Sequence, residues 1–367
     1  MIPLLDLNLE YKMFKSEIEQ SLYEVLKSGS FILGDKGKEL ERSIAEFIGT
    51  SHGIGLANGT DALLLSLEAL GIGHNDEVIT TTFSFFATAE VIARVGATPV
   101  FVDIDPVTYN MDPLLLENVI TEKTKAIIVV HLFGQPADMD KILNISKCYN
   151  ISVIEDTCQS IGATFGGKKV GSFGDTGCFS FFPTKNLGAY GDGGMVVTNK
   201  QYINEKICLL RNHGCEVRYI HNEIGTNSRL DELQAAILLF KLKMLNEWNL
   251  KRGKLASRYT HYLKPHLKTP VVACGRSHVF HQYCVELDDR DELALFLHKK
   301  QIATGIYYPV PLHLQEAFQY LKYKEGDFPV AEETSKRILA LPMYPLMTKN
   351  QQDKVISSIN EFMSGER

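Results

Sequence analysis

A single lysine, Lys185, lies between an apolar run and a turn of small residues. It follows Ser180-Phe181-Phe182-Pro183-Thr184 and precedes Asn186-Leu187-Gly188, and no other residue of this stretch is charged. A lysine on a short, rigid connection beside aromatic residues can be partly desolvated. Desolvation lowers its pKa and makes the amine a nucleophile for a carbonyl group. The alternative is a lysine that only caps the end of a strand.

A carboxylate, Asp156, follows the strand-like segment Ile151-Ser152-Val153-Ile154-Glu155. In open parallel sheets, ligands bind outside the carboxyl ends of the strands. A carboxylate at such an end can hold a protonated pyridine nitrogen, which keeps a cofactor ring an effective electron sink. Gln159 lies three residues further on, within reach of the same ligand. The alternative for Asp156 is the N-cap of a following helix.

The small residues of Ala57-Asn58-Gly59-Thr60-Asp61 form a turn that opens a helix. The backbone N–H groups of Gly59 and Thr60 would point at an anion such as a phosphate, and the helix dipole would favour its negative charge. Plain helix capping by Asn58 or Thr60 explains the same pattern.

Other polar and aromatic residues occur near predicted strand and helix ends. Phe85 follows a strand at Val78–Thr81 and could stack on a planar cofactor, although core packing also explains such aromatics. Asn227 and Arg229 precede a helix that starts near Leu230, which Ser228 or Asn227 could cap.

Tyr308 and His313 belong to the segment Tyr307-Tyr308-Pro309-Val310-Pro311-Leu312-His313. Its two prolines make the backbone stiff and extended, which suits the rim of a cleft. Taken alone, His313 is typical of a structural histidine.

The elements that must position these residues alternate between strand and helix. The predicted strands are Glu77–Thr81, Pro99–Ile104, Ala126–Leu132, Ser152–Asp156, Gly177–Phe182 and Met195–Thr198. The predicted helices cover residues 11–26, 34–49, 61–70, 86–95, 114–120 and 139–148, and a further stripe runs from Leu230 to Met244. Strands that are apolar on both faces and separated by helices indicate an α/β fold with a mostly parallel sheet covered on both sides.

The pattern changes after residue 245. Val279–Leu287 and Ile302–Pro309 are predicted as strands, Asp291–Lys300 as a helix, and a last helix starts at Thr348. We therefore expect a large domain over residues 1–245 and a smaller α+β domain over residues 246–367.

The composition is that of an ordinary globular protein. The 367 residues carry 38 basic and 44 acidic side chains, a net charge of −6, and no long basic run, so nucleic acid is not an expected partner. No secretory signal or membrane-spanning run is predicted. Seven cysteines without CxxC spacing indicate reduced thiols in the cytoplasm, and neither the cysteines nor the histidines predict a metal site.

The order of these motifs resembles the DegT/DnrJ-type nucleotide-sugar aminotransferases, which are fold type I enzymes dependent on pyridoxal phosphate (PLP). The resemblance covers almost the whole chain, from residue 2 to residue 345. Its most specific parts are Asn58-Gly59-Thr60-Asp61-Ala62-Leu63, His131-Leu132-Phe133-Gly134-Gln135, Glu155-Asp156-Thr157-Cys158-Gln159-Ser160, Pro183-Thr184-Lys185-Asn186-Leu187-Gly188 and Asn227-Ser228-Arg229-Leu230-Asp231-Glu232-Leu233-Gln234-Ala235-Ala236.

The resemblance implies roles for the matching residues. Lys185 would bind the cofactor as a Schiff base and move the proton at the substrate carbon, with pyridoxamine phosphate as the intermediate form. Asp156 would pair with the pyridine nitrogen, Gln159 would contact the ring hydroxyl and Phe85 would stack on the ring. The phosphate would lie against Gly59, Thr60 and Ser180, with Asn227 reaching it from the second subunit of a homodimer. Some relatives carry histidine in place of the lysine and dehydrate sugars, so Lys185 favours aminotransfer.

The resemblance also implies a substrate class, with Tyr308, His313 and Arg229 as substrate contacts. The expected reaction moves an amino group from L-glutamate to a 3-keto nucleotide-linked sugar, foremost a dTDP-3-keto-6-deoxyhexose, for deoxyamino sugars of surface polysaccharides such as lipopolysaccharide O-antigen. A UDP-linked 2-acetamido-3-keto hexose or hexuronate is the next candidate, and Arg229 or Arg218 could hold the carboxylate of a uronate. A 4-keto sugar aminotransferase and a PLP-binding regulator without turnover remain alternatives.

Overall fold

The computed structural model describes residues 1–365, and its strands form one large sheet and three small ones. Along the chain the strands are β1 (His52–Leu56), β2 (Glu77–Thr81), β3 (Thr98–Val102), β4 (Thr124–Val130), β5 (Ser152–Asp156), β6 (Thr164–Phe165), β7 (Lys168–Lys169), β8 (Thr176–Ser180), β9 (Gly194–Thr198), β10 (Cys215–Val217), β11 (Ile220–His221), β12 (Tyr283–Glu286) and β13 (Ile338–Leu341). The pairs β6–β7, β10–β11 and β12–β13 are separate two-stranded sheets.

Helices connect and cover these strands. The α-helices are α1 (Leu7–Met13), α2 (Lys15–Ser28), α3 (Asp35–Ile48), α4 (Gly59–Ala69), α5 (Ala87–Arg94), α6 (Met139–Tyr149), α7 (Gln201–Leu210), α8 (Glu232–Leu242), α9 (Leu245–Leu263), α10 (Arg290–Lys299), α11 (Pro329–Arg337) and α12 (Lys349–Ser364). Short 3₁₀ helices cover Pro113–Asn118, Leu132–Gly134, Leu312–Leu314 and Glu316–Leu321. None of the helices in residues 1–365 is long and apolar enough to span a membrane.

The large sheet has seven strands in the order β1-β9-β8-β5-β4-β2-β3. The five strands from β8 to β3 run parallel, whereas β9 is antiparallel to both β8 and β1. The register places Asp156 opposite Val130 on one side and Cys178 on the other. The predicted α/β class with a mostly parallel sheet is confirmed. The carboxyl ends of β2, β5 and β8 lie at the same end of the sheet.

Both faces of the sheet are buried, as the apolar strands predicted. In β2, Val78 packs with residues of α4 and α7, while its neighbour Ile79 packs on the opposite face with residues such as Met139 and Ile142 of α6. Both β2 residues are fully buried, which contributes about 1.5–3 kcal/mol for each side chain of this size. The strand ends are therefore held on a rigid base.

Helix α4 begins at a capped turn that follows β1. The Asn58 side chain accepts a hydrogen bond from the backbone N–H of Asp61 at 2.8 Å, so Asn58 is the N-cap, as plain capping predicted. Strand β1 itself was not predicted, because Gly53 and Gly55 interrupt its apolar pattern.

Two predicted elements differ in the structure. Residues 11–26 were expected as one helix, but the chain forms α1 and α2, which meet at Phe14. The strand predicted at Ile302–Pro309 is wrong: this segment is irregular and makes only single bridges, from Ile302 to Ile2 and from Gly305 to Ala340. Pro309 has no backbone N–H for a strand ladder, which contributes to this outcome.

The start of α3 is held by a residue far along the chain. The buried carboxylate of Glu232 accepts hydrogen bonds from the backbone N–H groups of Gly34, Lys36 and Gly37 at 2.9, 2.8 and 2.9 Å. A Cβ atom at Gly34 or Gly37 would lie 2.7 Å from this carboxylate. A carboxylate at a helix N-terminus is also favoured by the helix dipole.

A separate hydrophobic cluster joins α9, α10, α12, β12 and β13. It includes Tyr259, Leu297 and Ile359, and also Ile2 from the other end of the chain. The predicted domain boundary, between residues 245 and 246, falls at the start of α9. It stays a prediction.

Candidate active site

The carboxyl ends of the parallel strands open into a cavity of about 900 Å³. Asp156 is the last residue of β5, Ser180 is the last residue of β8, and Phe85 lies four residues beyond β2. All three line the cavity, together with Gly59, Thr60, Gln159, Lys185 and Tyr308. The strand ends and the C-terminal part of the chain thus bring eight of the predicted site residues to one place.

The carboxylate of Asp156 is buried and oriented by two hydrogen bonds. The Thr88 hydroxyl donates to Oδ2 at 3.0 Å, and the backbone N–H of Cys158 donates to Oδ1 at 3.2 Å. Because Thr88 uses its only proton there, the Ser84 hydroxyl at 3.0 Å donates to Thr88. No helix follows β5 directly, so the N-cap alternative for Asp156 is not what the structure shows.

Gln159 joins the strand-end region to the C-terminal part of the chain. Its Oε1 accepts a hydrogen bond from the backbone N–H of Phe133 at 2.9 Å, and its Nε2 donates to the Tyr308 hydroxyl at 3.1 Å. Burial raises the pKa of Tyr308 and keeps its hydroxyl neutral. The side chain of Gln159 is therefore fixed at the wall of the cavity.

Lys185 lies half-buried in a turn just beyond β8. Burial lowers the pKa of its amine, and the nearby Cys158 and Asp156 oppose this shift. Within residues 1–365, its Nζ has no hydrogen bond and no ion pair in the structure. The next residue, Asn186, anchors the turn by donating to the Val279 carbonyl at 3.0 Å and to Asn249 Oδ1 at 2.9 Å.

The N-terminus of α4 faces Ser180 and Cys158 across a very short gap. A Cβ atom at Gly59 would lie 2.7 Å from the Ser180 Cβ and 3.0 Å from the Cys158 Sγ, so only glycine fits. Among the described residues, the backbone N–H groups of Gly59 and Thr60 have no acceptor in the protein. Together with the Ser180 hydroxyl they form a set of donors suited to an anion.

A buried hydrogen-bonded pair, His131 and Glu155, supports the end of β5. His131 Nδ1 accepts a hydrogen bond from the backbone N–H of Ala137 at 3.0 Å, so Nε2 carries the proton and donates to Glu155 at 3.0 Å. The Glu155 carboxylate also accepts backbone N–H groups of Gly171, Phe173 and Gly174 at 2.7 to 2.8 Å. The backbone N–H of His131 donates to the carbonyl of Asp156 itself at 3.1 Å.

Comparison with known proteins identifies the scaffold. The DegT/DnrJ/EryC1/StrS aminotransferase family matches residues 12–360. The chain is 52% identical over 365 residues to the pleiotropic regulatory protein of Geobacillus stearothermophilus, with 98% of each chain covered. It is 46% identical to the UDP-N-acetyl-3-dehydro-alpha-D-glucosamine 3-aminotransferase of Acidithiobacillus ferrooxidans, with 99% of this chain and 98% of the relative covered.

A solved structure agrees with the sequence match. DesV of Streptomyces venezuelae superimposes with a TM-score of 0.96 at 39% identity, covering 99% of this chain and 98% of DesV. The chain belongs to the DegT/DnrJ/EryC1/StrS aminotransferase family. It is a PLP-dependent aminotransferase.

The residues of this aminotransferase fit PLP. An unpaired amine, a buried and oriented carboxylate, and free N–H donors at a helix N-terminus occur in one cavity. These groups match the three polar parts of the cofactor, which are its aldehyde, its ring nitrogen and its phosphate. No cluster of three or more His, Cys, Asp or Glu side chains suited to a metal occurs in the described part of the chain.

Phe85 and Tyr308 supply aromatic surface at the cavity. The Phe85 side chain is 56% exposed, and its ring centroid lies 6.4 Å from that of Tyr308. An exposed ring at a strand end, rather than a buried one, agrees better with stacking on a ligand than with core packing.

Three predicted site residues do not line the cavity of this chain. His313 is buried, with Nδ1 at 2.6 Å from the Thr82 hydroxyl and Nε2 at 3.1 Å from Glu332, which is the arrangement of a structural histidine. Arg229 donates to Asn212 at 2.9 Å. Asn227 is exposed and pairs with the backbone of Asn212.

The predicted caps near Leu230, Asn227 or Ser228, are wrong. Asp231, not Asn227 or Ser228, caps α8, because its carboxylate accepts the backbone N–H of Gln234 at 2.9 Å. The Ser228 hydroxyl instead accepts the backbone N–H of Ala57 at 3.1 Å, just before the Gly59 turn.

Sequence reasoning missed Thr88, His281 and Gln282. Thr88 orients Asp156, and both His281 and Gln282 line the cavity. No local signal marked the last two, because they lie within the predicted strand Val279–Leu287, about 100 residues after Lys185. Only the folded chain brings them to the site.

Proposed function

We propose that this aminotransferase moves an amino group from L-glutamate to the 3-keto group of a nucleotide-linked sugar. The observation that carries aminotransfer is the unpartnered amine of Lys185 in a cavity that also holds Asp156 and the Gly59 turn. The family match supports the reaction class, and the A. ferrooxidans relative, named as a 3-aminotransferase of a UDP-linked sugar, supports the position on the ring.

In this proposal each residue has one task in holding the cofactor. Asp156 holds the protonated ring nitrogen, Gln159 contacts the ring hydroxyl, and Phe85 covers the ring face. The donors at the start of α4, with Ser180, hold the phosphate. When bound, PLP supplies an electron sink for the charge that develops at the carbon carrying the amino group.

Lys185 is the proposed catalytic residue. Its amine can attach the cofactor only while it is neutral, and burial favours the neutral form because it lowers the pKa. When not attached to the cofactor, Nζ would be free to move a proton to and from the substrate carbon. The anchoring of Asn186 fixes the turn from which Lys185 acts.

For the sugar, a dTDP-3-keto-6-deoxyhexose is the substrate that the sequence resemblance favours. A UDP-linked 2-acetamido-3-keto hexose is the second candidate, and it is supported by the A. ferrooxidans relative. For a uronate, neither Arg229 nor Arg218 lines the cavity of its own chain, so either would have to reach the site of a second subunit, and Arg94 is the one arginine that lines the cavity among the described residues. The product would feed the assembly of surface polysaccharides in the cytoplasm.

We further propose a homodimer in which Asn227 reaches the phosphate site of the second subunit. Asn227 is exposed and lies outside the cavity of its own chain. The nearby hairpin of β10 and β11 also exposes apolar side chains, including Tyr219 at 78% and Ile220 at 59%, which a second subunit could cover.

Absorbance spectroscopy with glutamate tests aminotransfer. The holoenzyme should show a band near the edge of the visible range that disappears when L-glutamate is added. A band that persists unchanged would favour the regulator alternative, which the name of the G. stearothermophilus relative keeps open. A panel of 3-keto and 4-keto nucleotide sugars tests the carbon position, and equal or faster turnover of the 4-keto sugars would contradict it.

A further inference from the structure

Two adjacent side chains in the cavity wall, His281 and Gln282, have polar atoms without a partner. His281 is 9% exposed, and neither its Nδ1 nor the Oε1 of Gln282 has a hydrogen bond within the described residues. An unsatisfied buried polar atom costs about 1–3 kcal/mol, and native structures rarely leave one. Both residues line the cavity, so a molecule bound there can contact their side chains.

The backbone of this wall is fixed relative to Lys185. The Val279 carbonyl accepts the Asn186 side chain, and the Val279 N–H donates to the Gly134 carbonyl at 2.9 Å. The buried guanidinium of Arg252 donates to the carbonyls of Phe280 and His281 at 3.2 and 3.5 Å. The unpartnered side chains therefore stand on a rigid segment beside the reactive amine, not on a mobile loop.

Behind these side chains lies a second cavity of about 240 Å³, which we call the annex. It shares Thr184, His281, Gln282 and Tyr307 with the main cavity. Its remaining wall is apolar and consists of Leu4, Leu5, Ala340, Leu341 and Met343. The annex thus has polar side chains on the wall that it shares with the main cavity, which we take as its entrance, and apolar side chains elsewhere.

The entrance carries no charge. Burial lowers the pKa of His281 well below its usual value, and the positive charges of Lys185 and Arg252 lower it further. A neutral imidazole and a carboxamide each offer one kind of donor and one kind of acceptor. They match an uncharged group that itself carries an N–H and a C=O.

We propose that the annex binds an acetamido group on the sugar ring. His281 and Gln282 hydrogen-bond to the amide, and its methyl group packs against Leu341 and Met343. This inference rests on the proposed function and narrows it, because it selects a 2-acetamido-3-keto sugar over a 6-deoxyhexose that lacks such a group. His281 and Gln282 are then the residues that determine specificity.

Calorimetric binding to the PLP holoenzyme tests the annex without turnover. The probes are UDP-N-acetylglucosamine and UDP-glucose, which differ only at the substituent in question, together with the dTDP-linked pair. Two matched hydrogen bonds predict about tenfold tighter binding of the acetamido sugar in at least one pair. His281→Phe should reduce this ratio to below about twofold, and His281→Gln should restore part of it.

His278→Phe is the matched control. His278 is a half-buried histidine of the same segment, but its Nδ1 already accepts the backbone N–H of Phe280 at 2.9 Å, and it does not line the main cavity. This variant should keep the ratio of the wild type. Gln282→Met gives a second variant, expected to lower the ratio, should His281→Phe fail to fold.

Three results would overturn the proposal: equal affinity for both sugars in both pairs, an unchanged ratio in the His281→Phe and Gln282→Met variants, or the same loss of ratio in His278→Phe. Absence of binding by all four sugars would also overturn it. The glutamate absorbance assay is independent of these results. If the absorbance band changes with glutamate but the sugars bind equally, only the acetamido proposal for the annex is refuted. If the band does not change with glutamate, aminotransfer is refuted.

Discussion

The two walls of the cavity differ in whether their polar groups already have partners. On the sheet side, Asp156 and Gln159 are each held by two hydrogen bonds from the protein. On the C-terminal side, His281 and Gln282 keep unpartnered atoms. A wall whose polar groups already have hydrogen-bond partners suits a resident cofactor, because binding requires no rearrangement of that wall. A wall that gains its partners on binding suits a substrate that must enter and leave.

Two lysines with lowered pKa values repeat this contrast. The Lys241 side chain is 1% exposed and is fully paired, with Glu10 at 2.5 Å, the Gly188 carbonyl at 2.8 Å and the Tyr190 ring at 4.1 Å. Lys185 has no such partner. Because Gly188 lies three residues after Lys185, the paired lysine holds the turn on which the unpaired lysine acts. Burial lowers both pKa values. The amine with protein partners, Lys241, is structural, and the amine without them, Lys185, is available for chemistry.

Lys185→Ala should break the contrast most strongly. Aminotransfer from glutamate should fall by about 10³-fold or more, since the variant lacks both the amine that attaches the cofactor and the group that moves the proton. Thermal unfolding should show a stable protein, because an unpaired buried amine has been removed. Steady-state kinetics measures the loss, and activity near the wild-type level would refute the assignment.

Lys241→Met should instead damage stability. It leaves the Glu10 carboxylate, only 11% exposed, without its cation, which is expected to cost about 3–5 kcal/mol in the free energy of unfolding. Urea denaturation measures this cost. The double variant Glu10→Gln/Lys241→Met should recover much of it, and a single variant as stable as the wild type would show that the pair does not hold the turn.

Thr88→Val tests the partnered wall. The variant keeps the shape but removes the hydroxyl that donates to Asp156, so kcat should fall by about tenfold while the enzyme stays folded. Thr88→Ser should restore most of the rate. Should kcat for Thr88→Val equal that of the wild type, the hydrogen bond to Asp156 does not contribute to the reaction.

His313→Phe distinguishes a structural histidine from a substrate contact. Loss of the partners for Thr82 and Glu332 should lower the free energy of unfolding by about 1–3 kcal/mol. The KM for the nucleotide sugar should change by less than about twofold, since His313 does not line the cavity. A large rise in KM with unchanged stability would restore the role that the sequence predicted.

The smallest effect concerns pH. Folding lowers the pKa of Lys185 below its usual 10.5, so the unfolded chain binds more protons there. Lys185 therefore reduces the stability of the apoenzyme at neutral pH, and this cost should disappear as pH rises to about 10.5. Lys185→Met should be more stable than the wild type at pH 7, with a difference that shrinks toward pH 10. A difference independent of pH would contradict a desolvated amine.

The sequence predicted the features that depend on neighbours in the chain. Apolar segments such as Ser152–Asp156 predict a buried strand. The last residue of such a strand, here Asp156, lies at the end of the sheet where ligands bind in parallel α/β folds. The capped turn at Asn58 is likewise local. Lys185 was identified because its short turn contains no other charged residue.

Features that depend on distant partners could not be predicted. His281 and His313 are both histidines near apolar residues, and only tertiary contacts show that the first lines the cavity while the second is bonded to Thr82 and Glu332. The hydroxyl of Thr88 reaches Asp156 across 68 residues of sequence. Ile302–Pro309 failed for a related reason, because it makes only single bridges to distant residues instead of a continuous strand pairing.

The hydrogen bonds between the start of α3 and Glu232 have a consequence for folding during synthesis. A ribosome releases Gly34, Lys36 and Gly37 almost 200 residues before the carboxylate that binds them. Until then the first turn of α3 lacks its acceptor and is prone to fray. The start of α3 therefore lacks the Glu232 carboxylate through most of translation. Capping of α3 is therefore a late step that requires the synthesis of α8.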